Sequence, residues 1–269
     1  MGDLAIGVIG AAGRMGRMLL QTIQDSEGCA LAGGIEPPGN PALGQDLGLL
    51  AGTAASGLVL DSDEAGLIAR ADAVIEFSSP AATVAHAAAC AATGTPHVIG
   101  TTGLDAEQRA ALAEAAGKTA IVHAPNMSLG VNLLMALVEQ VARSLDPDYD
   151  IEIVEMHHRH KVDAPSGTAL ALGRAAAAGR EVALDAVSDR ARDGQTGARK
   201  RGDIGFAVLR GGDVVGDHSV VFASEGERIE LTHKASNRAI YARGAVKAAR
   251  WAQGRPPGLY SMNDVLGLG

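Results

Sequence analysis

LAIGVIGAAGRMG, residues 4–16, decides how the chain begins to fold. Leu4 to Gly10 is a continuous apolar run, the pattern of a parallel strand buried on both faces. Gly10, Gly13 and Gly16 follow one another at intervals of three, and MLLQTIQ then carries helical periodicity. Strand, glycine loop and helix in this order suit a dinucleotide. Glycines let the backbone approach a pyrophosphate, and the helix N-terminus faces its charge. The spacing departs from Gly-x-Gly-x-x-Gly, so the loop taken alone fits a tight structural turn equally well. The next strand, CALAGGI from Cys29 to Ile35, favours the dinucleotide. It ends in Glu36, twenty positions beyond Gly16, where an acid accepts hydrogen bonds from an adenosine ribose. Pro37 and Pro38 stand where a 2′-phosphate would call for an arginine, so NADH is expected to serve at least as well as NADPH.

Outward from this unit the alternation continues. Gly39 to Leu60 lacks periodicity and reads as a loop with a weak strand. AVIEF (Ala73 to Phe77) is a buried strand, AATVAHAAACAA a helix in which His86 reads as an exposed or packed side chain, and HVIGTT (His97 to Thr102) another strand. A helix over Asp105 to Ala116 and a strand over Ala120 to Ala124 complete the series. The order is that of a Rossmann-like, doubly wound parallel sheet, whose ligands lie beyond the carboxyl ends of its strands. Gly10, Glu36, Phe77, the run Gly100 to Thr102 and the run Ala124 to Met127 occupy such ends.

After Met127 the pattern changes. Leu129 to Leu145 is one amphipathic helix, Asp150 to Met156 a strand, and the chain then enters HHRHKVDAPSGT, residues 157–168. A formal net charge of −8 makes this basic cluster conspicuous. It suits a small anion, because nucleic acid would require a broad basic face. The Ser-Gly-Thr that opens the next helix (Ser166 to Ala178) adds backbone N–H groups and a positive dipole end. A solvated turn is the plain alternative. His157, His158 and His160 could also ligate zinc, but no Cys or helical His-x-x-x-His completes a site and Lys161 would oppose a cation, so no metal is expected. Glu181 to Arg201 reads as a polar mobile or interface loop. IGFAVLR, DHSVVFAS and RIELTHKA follow as strands divided by Gly211-Gly212 and Glu225-Gly226-Glu227, which predicts neighbours paired antiparallel in turn. The result is a second, α+β domain: a mixed sheet with helices on one face and the other face available for oligomerisation. The final helix, Ile240 to Ala252, is expected to return to the first domain. This places a discontinuous dinucleotide-binding domain at 1–128 and 239–269 and a substrate-binding and oligomerisation domain at 129–238.

Composition sets limits. With 269 residues, 47% hydrophobic but only 3% aromatic, the cores must be built from Ala, Val, Leu and Ile. The two cysteines, Cys29 and Cys90, lie among small apolar residues and read as buried thiols, which fits a reducing cytoplasm. No apolar run approaches the ~20 residues of a membrane span.

The ordered set GAAGRMG, EFSSP, GTTG, APNMSLGVN, EMHHRHKVDAPSGTA, RGGDVVGDHSVVF and GERIELTHKASNR resembles the bacterial 4-hydroxy-tetrahydrodipicolinate (dihydrodipicolinate) reductase family over nearly the whole chain. The resemblance implies NAD(P)H-dependent reduction of a cyclic imine dicarboxylate with loss of water, in lysine and diaminopimelate biosynthesis. It assigns the dinucleotide to Gly10, Ala11, Ala12, Gly13, Arg14, Met15 and Glu36, with Gly100, Thr101, Thr102, Ala124, Pro125, Asn126 and Met127 at the nicotinamide end. His157 is implied as proton donor or acceptor, Lys161 as proton donor, and His158, Gly167 and Thr168 as substrate ligands. A homotetramer assembled through the second domain is implied as well, and closure about hinges near Ser128 and Asn237 is expected to join the two sites. Pro37 departs from NADP-using members, which carry Arg there. Two other readings share the first domain: a dehydrogenase of alcohols or semialdehydes, which would not need HHRHK followed by PSGT, and a dinucleotide sensor without turnover.

Overall fold

The computed structural model describes residues 2–268. The chain forms two compact units, Met1–Leu129 with Ala239–Gly269, and Gly130–Arg238. In chain order the first unit opens with β1 (Leu4–Ile9), α1 (Arg14–Gln24), β2 (Cys29–Ile35), α2 (Leu47–Ala51), α3 (Glu64–Arg70), β3 (Ala73–Glu76), α4 (Pro80–Thr93), β4 (His97–Ile99), α5 (Ala106–Ala116) and β5 (Ala120–His123). α6 (Leu129–Ser144) leads into the second unit, which continues with β6 (Asp150–His157), α7 (Gly167–Gly179), α8 (Leu184–Val187), β7 (Ser188–Asp189), β8 (Ile204–Arg210), β9 (Gly216–Ser224) and β10 (Glu227–Ala235). α9 (Ala239–Ala252), β11 (Gly258–Tyr260) and α10 (Met262–Leu266) return to the first unit.

The first unit is the Rossmann-like, doubly wound sheet expected, with strand order β11-β5-β4-β3-β1-β2 and parallel pairing throughout. Helices cover both faces. Ile6 and Val8 of β1 pack with Leu19, Leu20 and Ile23 of α1 and the alanines of α9, while Ile9 turns the other way toward Leu67 and Ile68 of α3 and Cys90 of α4. The chain leaves β1 for β2 on one side and reappears at β3 on the other. The crevice between the carboxyl ends of β1 and β3 is therefore the switch point where such sheets bind ligands. The stretch read as loop and weak strand contains α2, whose N-cap Asp46 accepts from the Gly48 and Leu49 N–H groups, and Asp46 also bridges to Val59. β11 adds a sixth strand that the sequence reading did not include.

In the second unit the mixed sheet runs β10-β9-β6-β8-β7. Alternation along β6 turns Ile151, Ile153, Glu155 and His157 to the buried face, where Ile151 and Ile153 meet Leu134 and Val138 of α6 and Leu172 and Ala176 of α7. One expectation is corrected. β8 and β9 do not pair as a hairpin; β6 lies between them, parallel to β8 and antiparallel to β9. The β9–β10 hairpin does form. The segment after Gly211-Gly212 instead crosses the end of β6, where Gly211 N–H donates to His157 O (2.9 Å) and His158 N–H donates to Val214 O (2.7 Å). Backbone bonds to the basic stretch replace the hairpin ladder.

Candidate active site

In the first unit the glycine loop is anchored to the end of β2, with the Gly10 and Ala11 N–H groups both donating to Ile35 O (3.0 and 3.2 Å). Gly10 has φ +75°, a conformation that favours glycine. Gly16 packs its α-carbon against the loop itself: a β-carbon there would lie 2.1 Å from Gly10 O and 2.6 Å from Ala11 Cα. Glu36 reaches back to the loop, its Oε1 accepting from Ala12 N–H at 2.9 Å. Gly10, Gly13 and Glu36 line one cavity of about 480 Å³ together with Pro37, Pro38, Glu64, Phe77, Ser78, Ser79 and His86. A close-packed glycine loop, the N-terminus of an 11-residue helix and an acid at the end of β2 fit the adenosine and pyrophosphate parts of a dinucleotide. Ala11, Ala12, Arg14 and Met15 belong to the loop and first turn without lining the cavity, and neither do the two later runs.

Those runs occupy the neighbouring strand ends. Gly100 lies against Phe77, whose ring would sit 2.1 Å from a β-carbon at that position. Thr101 is buried, and its Oγ1 accepts from Ser78 N–H (3.0 Å) and lies 2.9 Å from Thr83 Oγ1; Thr102 is exposed. Ala124 N–H donates to Ile99 O, Asn126 Oδ1 accepts from Ser128 N–H, and Met127 is buried. α9 fixes the last of these, since a β-carbon on Gly244 would lie 1.7 Å from Met127 O.

Beneath Thr101 lies a cluster the sequence reading missed. Glu76 is fully buried at the end of β3, and its Oε1 accepts from His86 Nδ1 (2.7 Å), Thr83 Oγ1 (3.1 Å) and Ser78 Oγ. His97 Nε2 lies 3.0 Å from Oε2. Burial alone would raise the Glu76 pKa, but His86, His97 and Ser78 hold it far below the usual carboxylate range. Burial likewise opposes protonation of His86, and the hydrogen bond and charge of Glu76 outweigh it, so the His86 pKa is raised. The available signal was a carboxylate inside the apolar strand AVIEF with histidines at 86 and 97.

In the second unit β6 ends at His157, which is 8% exposed. Its Nδ1 lies 2.5 Å from Glu155 Oε2, and a β-carbon on Gly216 would fall 2.9 Å from its Nε2, so β9 can approach the ring closely only as glycine. Burial lowers the His157 pKa, reinforced by Lys161 and Arg210 and opposed by Glu155. Lys161 is one-fifth exposed and pairs with Asp163 Oδ1 at 2.8 Å, a partner not foreseen. His158 Nδ1 is buried without a hydrogen-bond partner among the described residues. Ser166 caps α7, its Oγ accepting from Ala169 N–H (3.1 Å) and lying 3.1 Å from His218 Nε2. Gly167 is exposed and Thr168 half-buried in the first turn of this 13-residue helix. His157, His158, Lys161, Gly167 and Thr168 thus lie within one unit, on the end of β6, the loop that follows and the first turn of α7. The unit offers a proton-handling imidazole, an ammonium and helix N–H groups suited to a carboxylate.

Residues 4–127 match the family described as dihydrodipicolinate reductase, N-terminus, and residues 130–266 match its C-terminus. A 4-hydroxy-tetrahydrodipicolinate reductase of Afipia carboxidovorans is 59% identical over 269 residues, covering 100% of this chain and 99% of its own. One from Parvibaculum lavamentivorans is 62% identical over 267 residues, 99% of this chain and 98% of its own. Among solved structures, a dipicolinate-bound dihydrodipicolinate reductase from Paenisporosarcina sp. TG-14 aligns with a TM-score of 0.78 at 25% identity, over 96% of this chain and 97% of that one. A probable dehydrogenase from Thermotoga maritima shares the fold, with a TM-score of 0.61 at 14% identity over 97% and 92%. With both family segments matched in order and relatives alike from end to end, the chain belongs to the dihydrodipicolinate reductase family.

Proposed function

We propose that this chain reduces 4-hydroxy-tetrahydrodipicolinate to tetrahydrodipicolinate with loss of water, using NAD(P)H, in lysine and diaminopimelate biosynthesis. The observation that carries the proposal is the buried His157 at the end of β6, followed by the Lys161 loop and the capped N-terminus of α7. Reduced nicotinamide, when bound, supplies the hydride. Hydride addition to a conjugated imine leaves negative charge on a neighbouring carbon, and a positioned acid that quenches it accelerates the step by about 10²–10⁴. Lys161 is that acid. His157, whose pKa burial and the nearby cations lower against the pull of Glu155, takes a proton from solvent and returns it to the Lys161 amine left after the step. His158, the Gly167 N–H and Thr168 hold the ring carboxylates at the positive end of α7.

The dinucleotide lies on Gly10 to Met15 and Glu36, with Gly100 to Thr102 and Ala124 to Met127 about the nicotinamide. NADH serves at least as well as NADPH. Glu36 and Glu64 put two carboxylates on the cavity wall, Pro37 offers no donor, and the one lining residue able to carry positive charge, His86, is held by Glu76. The enzyme works in the cytoplasm as a homotetramer assembled through the second unit.

Lys161→Ala tests the assignment. Turnover should fall by about 10²–10⁴ while NADH affinity, measured by fluorescence titration, stays within twofold. Unchanged turnover would remove Lys161 from the proton step.

A further inference from the structure

We propose that Glu155 is a positioning residue that orders the whole proton-transfer and carboxylate-binding constellation of the second unit from one buried carboxylate. It holds His157 in the tautomer whose Nε2 carries no proton, and it clamps both the first turn of α7 and the loop that bears Lys161. The inference rests on the reading of His157 and Lys161 given above.

Glu155 occupies a position where β6 otherwise turns isoleucine inward, and it is 1% exposed. A carboxylate buried among apolar residues is costly unless every oxygen is paired. Here every oxygen is. Oε2 faces His157 Nδ1 at 2.5 Å and accepts from Arg210 Nη1 at 2.8 Å; Oε1 accepts from Arg210 Nη2 at 2.9 Å and from Ser166 N–H at 3.0 Å. The Ser166 bond fixes the residue that caps α7, ahead of Gly167 and Thr168. Arg210 extends the reach. Its Nη2 also donates to Asp163 O at 2.6 Å, and Asp163 is the residue that pairs with Lys161.

The ionisation state follows from these partners. Burial would raise the Glu155 pKa, but Arg210, His157 and Ser166 lower it below its ordinary value, so the group is an acceptor only. The proton in the Glu155–His157 bond therefore sits on Nδ1, and Nε2 is the basic atom. The groups around the imidazole are Glu155 on its own strand, Arg210 across from it on β8, His218 on β9 and Lys161 in the loop. His218 meets the ring edge-on with centroids 5.0 Å apart. Burial, with His157 close by, takes the His218 pKa down to about 4, so it stays neutral and does not compete for Glu155.

The test is Glu155→Gln in the full chain, read by the nitrogen shifts of His157 in NMR and by pH profiles of kcat/KM. Removing the charge takes away the group that favours the imidazolium, so the His157 midpoint should drop by about one pH unit or more. The acid limb of the profile should move with it. The His157 nitrogens should change from a pure Nδ1–H pattern toward a mixture, kcat should fall at least tenfold, as when an orienting carboxylate is neutralised in a hydrolytic triad, and the substrate KM should rise. Dinucleotide affinity should not change. A variant with wild-type nitrogen shifts and an unmoved acid limb overturns the proposal, whatever its kcat. Should Glu155→Gln not fold, Glu155→Asp keeps the charge but draws it back by one methylene. It should hold the His157 midpoint nearer the wild-type value while lowering kcat and raising KM, and unchanged constants would overturn the proposal. The nitrogen shifts need no turnover, so absence of reductase activity in the wild-type chain would defeat the functional reading while leaving the tautomer independently decided.

Discussion

Pro37 directly follows the acid that ends β2, in a cavity whose other ionisable lining groups are Glu36, Glu64 and a His86 engaged by Glu76. A 2′-phosphate entering there meets two carboxylates and no uncommitted cation among the lining residues. Pro37→Arg should supply one. A hydrogen bond to a charged group contributes about 1.5–3 kcal/mol, so the affinity ratio of NADPH to NADH should rise about 10- to 150-fold, read by fluorescence titration of each cofactor. An unmoved ratio would place the preference elsewhere than in this residue. Single residues differ in how far they could be read from sequence. The place of Glu36, at the end of β2 and in contact with the glycine loop, was legible because its spacing from that loop is local. Glu76 and Glu155 were not. A buried carboxylate is intelligible only through its partners, and Arg210 lies 55 residues from Glu155 while His97 lies on a different strand from Glu76. The alternation Ile151, Ile153, Glu155, His157 did carry a hint, since it puts an acid on the face that the isoleucines bury.

Elements whose determinants are local came out of the sequence nearly to their ends. β1, α1 and β2 follow from one apolar run, three glycines and one helical period, and α7 follows from Ser166, whose hydroxyl caps it. Pairing between distant strands did not come out. Gly211-Gly212 is a sound turn signal, yet the strands on either side of it lie two places apart because β6 inserts between them. That displaced connection matters to the site: with β6 in the centre, the segment after β8 donates to His157 O and accepts from His158 N–H, so its backbone braces the start of the basic stretch. β11 escaped notice because it spans three residues after Pro256 and Pro257, too short for any periodicity, and it forms only by adding to the edge of β5.

Among the described residues of the second unit, α6, α7 and α8 pack on one face of its sheet. The other carries Val154, Met156, Ala207, Leu209 and Val221, with Leu209 half exposed. Asp150 and Glu152, on the same side of β6, are ion-paired to Arg192 and Arg199. The apolar part of such a face is normally covered by another subunit, and self-association through it is the basis of the proposed tetramer. Light scattering should report a tetramer for the native chain and smaller species for Leu209→Glu, whereas a monomeric native chain would contradict the assembly. Reduction of this dicarboxylate is read by following the absorbance of NADH and of NADPH while pyruvate and aspartate semialdehyde are condensed in place to make the substrate. Oxidation that requires both precursors, with NADH at least as efficient as NADPH, is the predicted result. Dinucleotide binding without oxidation of either cofactor would rule out reductase activity and leave a protein that senses the nucleotide without using it.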